Sequence, residues 1–197
     1  MLTCTALASL GVALLPLAGA VLAMGGLAVG APAGSETAPT ASGGIPGDYL
    51  ADFERAGSRF GVSWAIIAGI YAEECDFGRS GLAGCNPPGT ENPAGAQGPG
   101  QFLPTTWRRG LAPYQLIPPG PPTRRDAEGY ATDGDGDGIA DPWDPADATA
   151  STARLLASNG AASGEVRRAI FSYNHDPGYV DAVLAHAAAY EHAVTRS

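Results

Sequence analysis

The chain contains no lysine; its eleven basic residues are all arginines, set against twenty acids, for a formal net charge of −9 over 197 residues. The arginines gather only as the pairs Arg108-Arg109, Arg124-Arg125 and Arg167-Arg168. Nucleic acid or an anionic membrane surface would call for a basic stripe. Neither is an expected partner, and the pairs read as solvated surface. Period-2 alternation is missing too, which argues against a sheet protein. Cysteine is limited to Cys4, Cys75 and Cys85. The last two have no neighbouring histidine, so a thiolate metal centre is not expected.

Charge is absent from Ala6 to Val29, a run that is almost wholly apolar. It is long enough to cross a bilayer, which takes roughly 20 residues. It also suits the core of a secretory signal, with Ala31-Pro32-Ala33 as a small-x-small cleavage site. Residues 1–34 are therefore expected to be a signal peptide or an N-terminal membrane anchor, and length favours the anchor. Either way the rest of the chain is exported to the extracellular or cell-wall space. Residues 35–47 (SETAPTASGGIPG) are small, polar and rich in Pro and Gly, a flexible linker. Residues 48–197 form one domain of ordinary size. In an exported domain, Cys75 and Cys85 are expected to pair as a disulfide.

Helical spacing of Tyr49, Phe53, Ala56 and Phe60 predicts a helix over Asp48–Phe60, ended by Gly61. Ser63 is placed to cap the next helix. Residues 78–100 are loop, Pro104–Trp107 a short helical turn, and 112–130 irregular. Asp147 is expected to cap a helix through Ser158. Further helices are expected over Gly164–Tyr173 and Pro177–His192. The fold class is mainly α, with long loops that carry function.

The second helix carries the chemistry. A helix turns about 100° per residue. Trp64, Ile66, Ile67, Ile70 and Tyr71 cluster around one direction, and Glu74 falls within about 10° of it, while Glu73 lies roughly 110° away. Glu74 therefore points where a core residue should. Burial disfavours the charged carboxylate and raises its pKa, and a carboxyl protonated near neutrality can give its proton to a glycosidic oxygen. Glu73 reads as a solvated helix-face residue.

A second motif follows at Asp133. DGDGDGIADPWD sets Asp133, Asp135, Asp137, Asp141 and Asp144 at loop positions 1, 3, 5, 9 and 12, with Gly138 at 6 and the Ile139 carbonyl at 7. That is the ligand spacing of an EF-hand-like loop, and hard oxygen donors suit Ca2+. Position 12 is Asp rather than Glu. A structural calcium ion is expected there, and no organic cofactor.

Three blocks in order carry a family likeness: the helix end Glu74-Cys75-Asp76-Phe77-Gly78, the stretch GPGQFLPTTW over Gly98–Trp107, and Phe171-Ser172-Tyr173-Asn174-His175. Together with the Asp-rich loop between the second and third, they resemble the soluble lytic transglycosylases of bacterial cell walls, most nearly the B-type enzymes. The second block is similar to that family's G-x-M-Q-F-x-P-S-T-W and the third to its A-Y-N. Gly100 stands where the family has Met, and Cys75 where it has Ser or Thr. The resemblance implies a goose-type-lysozyme-like catalytic domain and Glu74 as the acid/base. It also implies cleavage of the β-1,4 bond between N-acetylmuramic acid and N-acetylglucosamine to 1,6-anhydromuramic acid ends. Gln101, Phe102, Tyr173 and Asn174 would bind substrate, and Tyr173 would hydrogen-bond Glu74 or the sugar. The partner would be peptidoglycan glycan strands, and the enzyme a monomer. The rival readings are a lysozyme-type hydrolase of the same fold and a non-catalytic, calcium-stabilised wall-binding module.

Overall fold

The computed structural model describes residues 40–41, 44–107 and 129–195. The apolar segment 1–34, most of the linker and the irregular stretch up to residue 128 lie outside the described residues. Helix α2 (Trp64–Cys75) forms the axis of the core. Ala65, Ile67, Ala68, Ile70 and Tyr71 are fully buried on it, so it is apolar nearly all round rather than amphipathic. Such a helix must be wrapped by others. Helices α1 (Gly47–Phe60) and α6 (Pro177–Val194) pack against it, while α4 (Pro145–Ser158) joins α1 to α5 (Val166–Tyr173). The remaining helix, α3, is the single turn Pro104–Trp107. Among the described residues the only strands are the two-residue β1 (Thr40–Ala41) and β2 (Ile45–Pro46), paired antiparallel. No helix among these residues is long and apolar enough to cross a membrane.

A close approach in the core is made possible by a missing side chain. A Cβ on Gly69 of α2 would lie 2.6 Å from the Val183 carbonyl oxygen of α6. Backbone is thus pressed against backbone where these helices cross. Aromatic packing closes the other flank: Tyr49, Phe53, Tyr71 and Phe77 meet with ring centroids 5.1 to 6.1 Å apart. Ile45 is fully buried in the same cluster. The folded unit therefore takes in the end of the segment read as linker, because an apolar residue beside this core gains more from burial than from solvation.

Helix starts differ from expectation in which residue does the capping. Ser63 occupies the N-cap position of α2 but makes no capping bond; its hydroxyl donates to Glu191 Oε1 on α6 at 3.2 Å. Asp144, not Asp147, caps α4, accepting from the amides of Ala146 and Asp147. Asp147 is instead drawn inside, where its carboxylate accepts from the amides of Gly134 and Asp141. Asp176 caps α6 by accepting from the Gly178 amide at 2.7 Å. The helix expected from Gly164 begins at Val166, and that expected to stop at His192 runs on to Val194.

Candidate active site

Helix α2 ends in an unusual way. Asp76, Phe77 and Gly78 all have left-handed backbone, with φ of 47°, 55° and 74°. For the two non-glycine residues that conformation is costly and persists only where surroundings enforce it. Here Phe77 is locked into the aromatic cluster, Asp76 is paired with Arg79, and Cys75 is bonded to Cys85 with Cα atoms 5.4 Å apart. The disulfide expected from the sequence is present. It ties the end of the helix bearing Glu74 to the loop that walls one side of a cleft.

That cleft has a volume of about 560 Å3. Glu74 opens onto it from α2; Asn92, Gln101 and Leu103 line one wall, and Tyr173 and Asn174 the other. Glu74 is partly buried. Burial pushes its carboxyl up to about 7; a hydrogen bond from Tyr179 pulls it back down, and the charge of Glu73 pushes it further up. The Tyr179 hydroxyl donates to Glu74 Oε1 at 2.7 Å, leaving Oε2 as the oxygen able to carry the proton. Among the described residues lining the cleft, Glu74 is the one carboxylic acid.

Tyr179 was not singled out in the sequence. It lies in the first turn of α6, and with Val183 and Tyr190 it forms an i, i+4, i+11 ridge that helical spacing alone assigns to packing. Tyr173, expected near Glu74, turns its hydroxyl elsewhere: it donates to the Gly100 carbonyl at 2.5 Å and lies 3.4 Å from Thr152 Oγ1. Burial, then the charge of Glu74, hold Tyr173 well above the usual tyrosine range, so it stays a neutral donor. A Cβ on Gly100 would crowd the Phe102 ring at 3.0 Å and the Tyr173 hydroxyl at 3.2 Å, so a larger residue here requires those side chains to give by a few tenths of an ångström.

Gln101 sits in the wall with left-handed backbone, φ 48°. Its Oε1 accepts from Asn92 Nδ2 at 2.9 Å and its Nε2 donates to the Gly98 carbonyl at 3.0 Å. One amide hydrogen and one oxygen lone pair remain by count. Asn92 is a second residue missed in the sequence; its Oδ1 accepts from the amides of Ala94 and Ala96, holding the loop in shape. Phe102 touches the cleft but is only 3 % exposed, packed against Trp107 and Tyr173 at 5.0 and 5.8 Å. Asn174 is exposed at the end of α5. Glu73 is not merely solvated: its Oε1 lies 2.8 Å from His186 Nε2 on α6.

In the Asp-rich loop the carboxylates are engaged with backbone. Asp133 accepts from the amides of Gly136 and Gly138, Asp137 from Ile139, and Asp141 from Trp143. Asp133 and Asp135 come together with Asp147 rather than Asp144, one oxygen of each lying within 4.8 Å of the others. Asp144 is held at its position by capping α4.

No family model matches the chain, and no curated protein matches it. A solved structure does: a lytic transglycosylase of Escherichia coli in complex with bulgecin A, with a TM-score of 0.53 and 19 % identity over 75 % of each chain. The mainly helical architecture described above is thus the lysozyme-like fold of a lytic transglycosylase.

Proposed function

We propose that the chain is a peptidoglycan lytic transglycosylase in which Glu74 is the only acid and base. The observation that carries this reading is the Glu74 carboxyl itself: partly buried, pushed up to about 7 and oriented by Tyr179, in a cleft whose described lining offers no second acid. Ordinary retaining and inverting glycosidases need two carboxylates. A single acid suits a reaction in which the substrate supplies its own nucleophile. Glu74 gives its proton to the oxygen of the β-1,4 bond, the bond to the muramic acid C1 breaks, and the departing N-acetylglucosamine keeps the proton as a hydroxyl. The Glu74 carboxylate then takes the proton of the muramic acid 6-hydroxyl as O6 bonds to C1, closing the 1,6-anhydro ring and restoring the acid. Exposed Asn174 and the remaining hydrogen-bonding positions of Gln101 are suited to N-acetyl amides. The fold likeness to a lytic transglycosylase supports the same reading.

The acidic loop suits calcium: three carboxylates converge with hard oxygens, and the buried Asp147 among them accepts from the backbone amides of Gly134 and Asp141. Asp133, Asp135 and Asp147 would hold the ion, with Asp137, the Ile139 carbonyl and Asp141 in reach by sequence position. Its role would be structural. Residues 1–34 would carry the enzyme out of the cytoplasm, as a cleaved signal or as the tether of a membrane-held enzyme, to work as a monomer on glycan strands.

The test is digestion of purified peptidoglycan by the full chain beside Glu74→Gln, with products weighed by mass spectrometry. Anhydro-muropeptides from the wild type alone are expected. Products heavier by one water would make it a hydrolase. Wall binding without cleavage, unchanged by Glu74→Gln, would make it a binding module.

A further inference from the structure

Two adjacent acids on α2 are each held by α6. Tyr179 donates to Glu74 at 2.7 Å, and His186 meets Glu73 at 2.8 Å. Tyr179 and His186 are seven residues apart, two helical turns, and so lie on one face. Between them α6 lies close against α2, where a Cβ on Gly69 would fall 2.6 Å from the Val183 carbonyl oxygen. His186 is itself steadied by stacking on Tyr190, with ring centroids 6.0 Å apart and planes at 19°, and Tyr190 packs on Phe77 just beyond the end of α2.

We propose that the Glu73–His186 pair is a positioning clamp for Glu74, in which the contact between the two side chains fixes the α2–α6 register at the acid. The pair lies outside the cleft lining, so neither residue is placed to touch substrate. Its influence on Glu74 is the charge of Glu73, which acts on Glu74 directly. The other titratable groups facing the pair are Tyr179 and Tyr190 on α6, and beyond Tyr190 the Asp76–Arg79 ion pair at the end of α2. The proposal rests on Glu74 being the acid of the site.

The experiment is a carbon-13 titration of the Glu74 carboxyl in the full chain, assigned by its loss in Glu74→Gln. It is repeated in Glu73→Gln, His186→Ala and His186→Gln, with turnover measured on peptidoglycan. Removing Glu73 should lower the Glu74 midpoint by roughly half a pH unit, the scale of one charge a few ångströms away across a partly solvated path. His186→Ala, which frees α6 to draw Tyr179 away from Glu74, should raise it, while His186→Gln should leave it near the wild-type value. Turnover should fall about tenfold in His186→Ala with KM unchanged, and be largely restored in His186→Gln, which keeps a hydrogen bond to Glu73. Should His186→Ala not fold, His186→Asn, whose shorter amide falls short of Glu73, carries the same test. A Glu74 midpoint and turnover unchanged in His186→Ala, or a His186→Gln variant no better than His186→Ala, overturn the proposal. Because the titration reads Glu74 itself, the absence of cleavage products would count against the enzymatic reading and leave the clamp to be decided by the midpoints.

Discussion

At the scale of the residue, Glu74 is a group placed against its own preference for water. Its carboxyl is raised from an ordinary 4.5 to about 7. The folded state therefore binds a proton more tightly than the unfolded chain between those two values. The stability this proton contributes is complete below about pH 4.5 and is lost as pH rises through 7. The difference is of order 3 kcal/mol. Glu74→Gln, which cannot ionise, should thus be inactive yet more stable than wild type at pH 8, by about 2 kcal/mol in urea denaturation, with the gap vanishing near pH 4.5. Equal stability at both pH values would mean that Glu74 is not desolvated. Tyr179→Phe removes the hydrogen bond that pulls the carboxyl down. The alkaline limb of the pH–rate profile should then move to higher pH while turnover falls, because Oε1 loses the donor that orients it. Glu74 was legible in the sequence because a carboxylate among Ile66, Ile67, Ile70 and Tyr71 breaks a local pattern. Tyr179 was not, since it lies 105 residues away and a tyrosine on an apolar ridge breaks no pattern. On the helical wheel, Glu74 stands out by a simplified route. Helix α2 is buried nearly all round, so direction alone does not select Glu74; its place in the last turn, where the cleft opens, does.

At the scale of the element, the site depends on how closely α6 lies against α2. In an isolated helix, alanine in place of glycine is favourable by about 1 kcal/mol. Gly69→Ala should reverse that sign. Its Cβ would sit 2.6 Å from the Val183 carbonyl oxygen, which is backbone and cannot swing aside. The helices must part, and overpacking of this kind costs about 1–3 kcal/mol. Thermal unfolding should show the loss, and turnover should fall with it, because parting α2 from α6 draws Glu74 away from Tyr179. A stabilised Gly69→Ala would show that the helices do not press together there. Helix positions were largely readable from periodicity, and Pro177 and Gly61 marked a start and an end. Which polar residue caps was less readable. Asp144 and Asp147 are chemically equal candidates three positions apart, and the choice was made by the loop that pulls Asp147 inward. Ser63 has the right type and place, but Glu191 on α6 takes its hydroxyl.

At the scale of the whole molecule, the acidic loop and the cleft wall are one mechanical unit. A Cβ on Gly98 would fall on the Pro142 carbonyl, so the loop carrying Gln101 lies directly against the Asp-rich loop. Gly98 in turn accepts the Gln101 side-chain amide. The same acidic loop is held from α1 by Arg59, whose guanidinium donates to the Asp133 carbonyl at 3.1 Å. A cation bound by Asp133, Asp135 and Asp147 would therefore brace the wall as well as the fold. By linkage, calcium at a hundred times its Kd stabilises by about 2.7 kcal/mol, which for a domain of this size is roughly 5–10 °C in Tm. Chelation should lower Tm by that amount and weaken substrate binding together with it. Asp135→Ala and Asp147→Asn should each abolish the calcium-dependent shift. Asp144→Asn should keep most of it, because Asp144 serves α4 as its cap and Asn caps nearly as well as Asp. The sequence pattern, read by loop position, predicts the opposite ranking of Asp144 and Asp147, so the two variants separate spacing from geometry. If calcium added to metal-free protein leaves Tm unchanged, the loop holds its shape through Asx turns alone, and the wall behind Gln101 is braced without a metal.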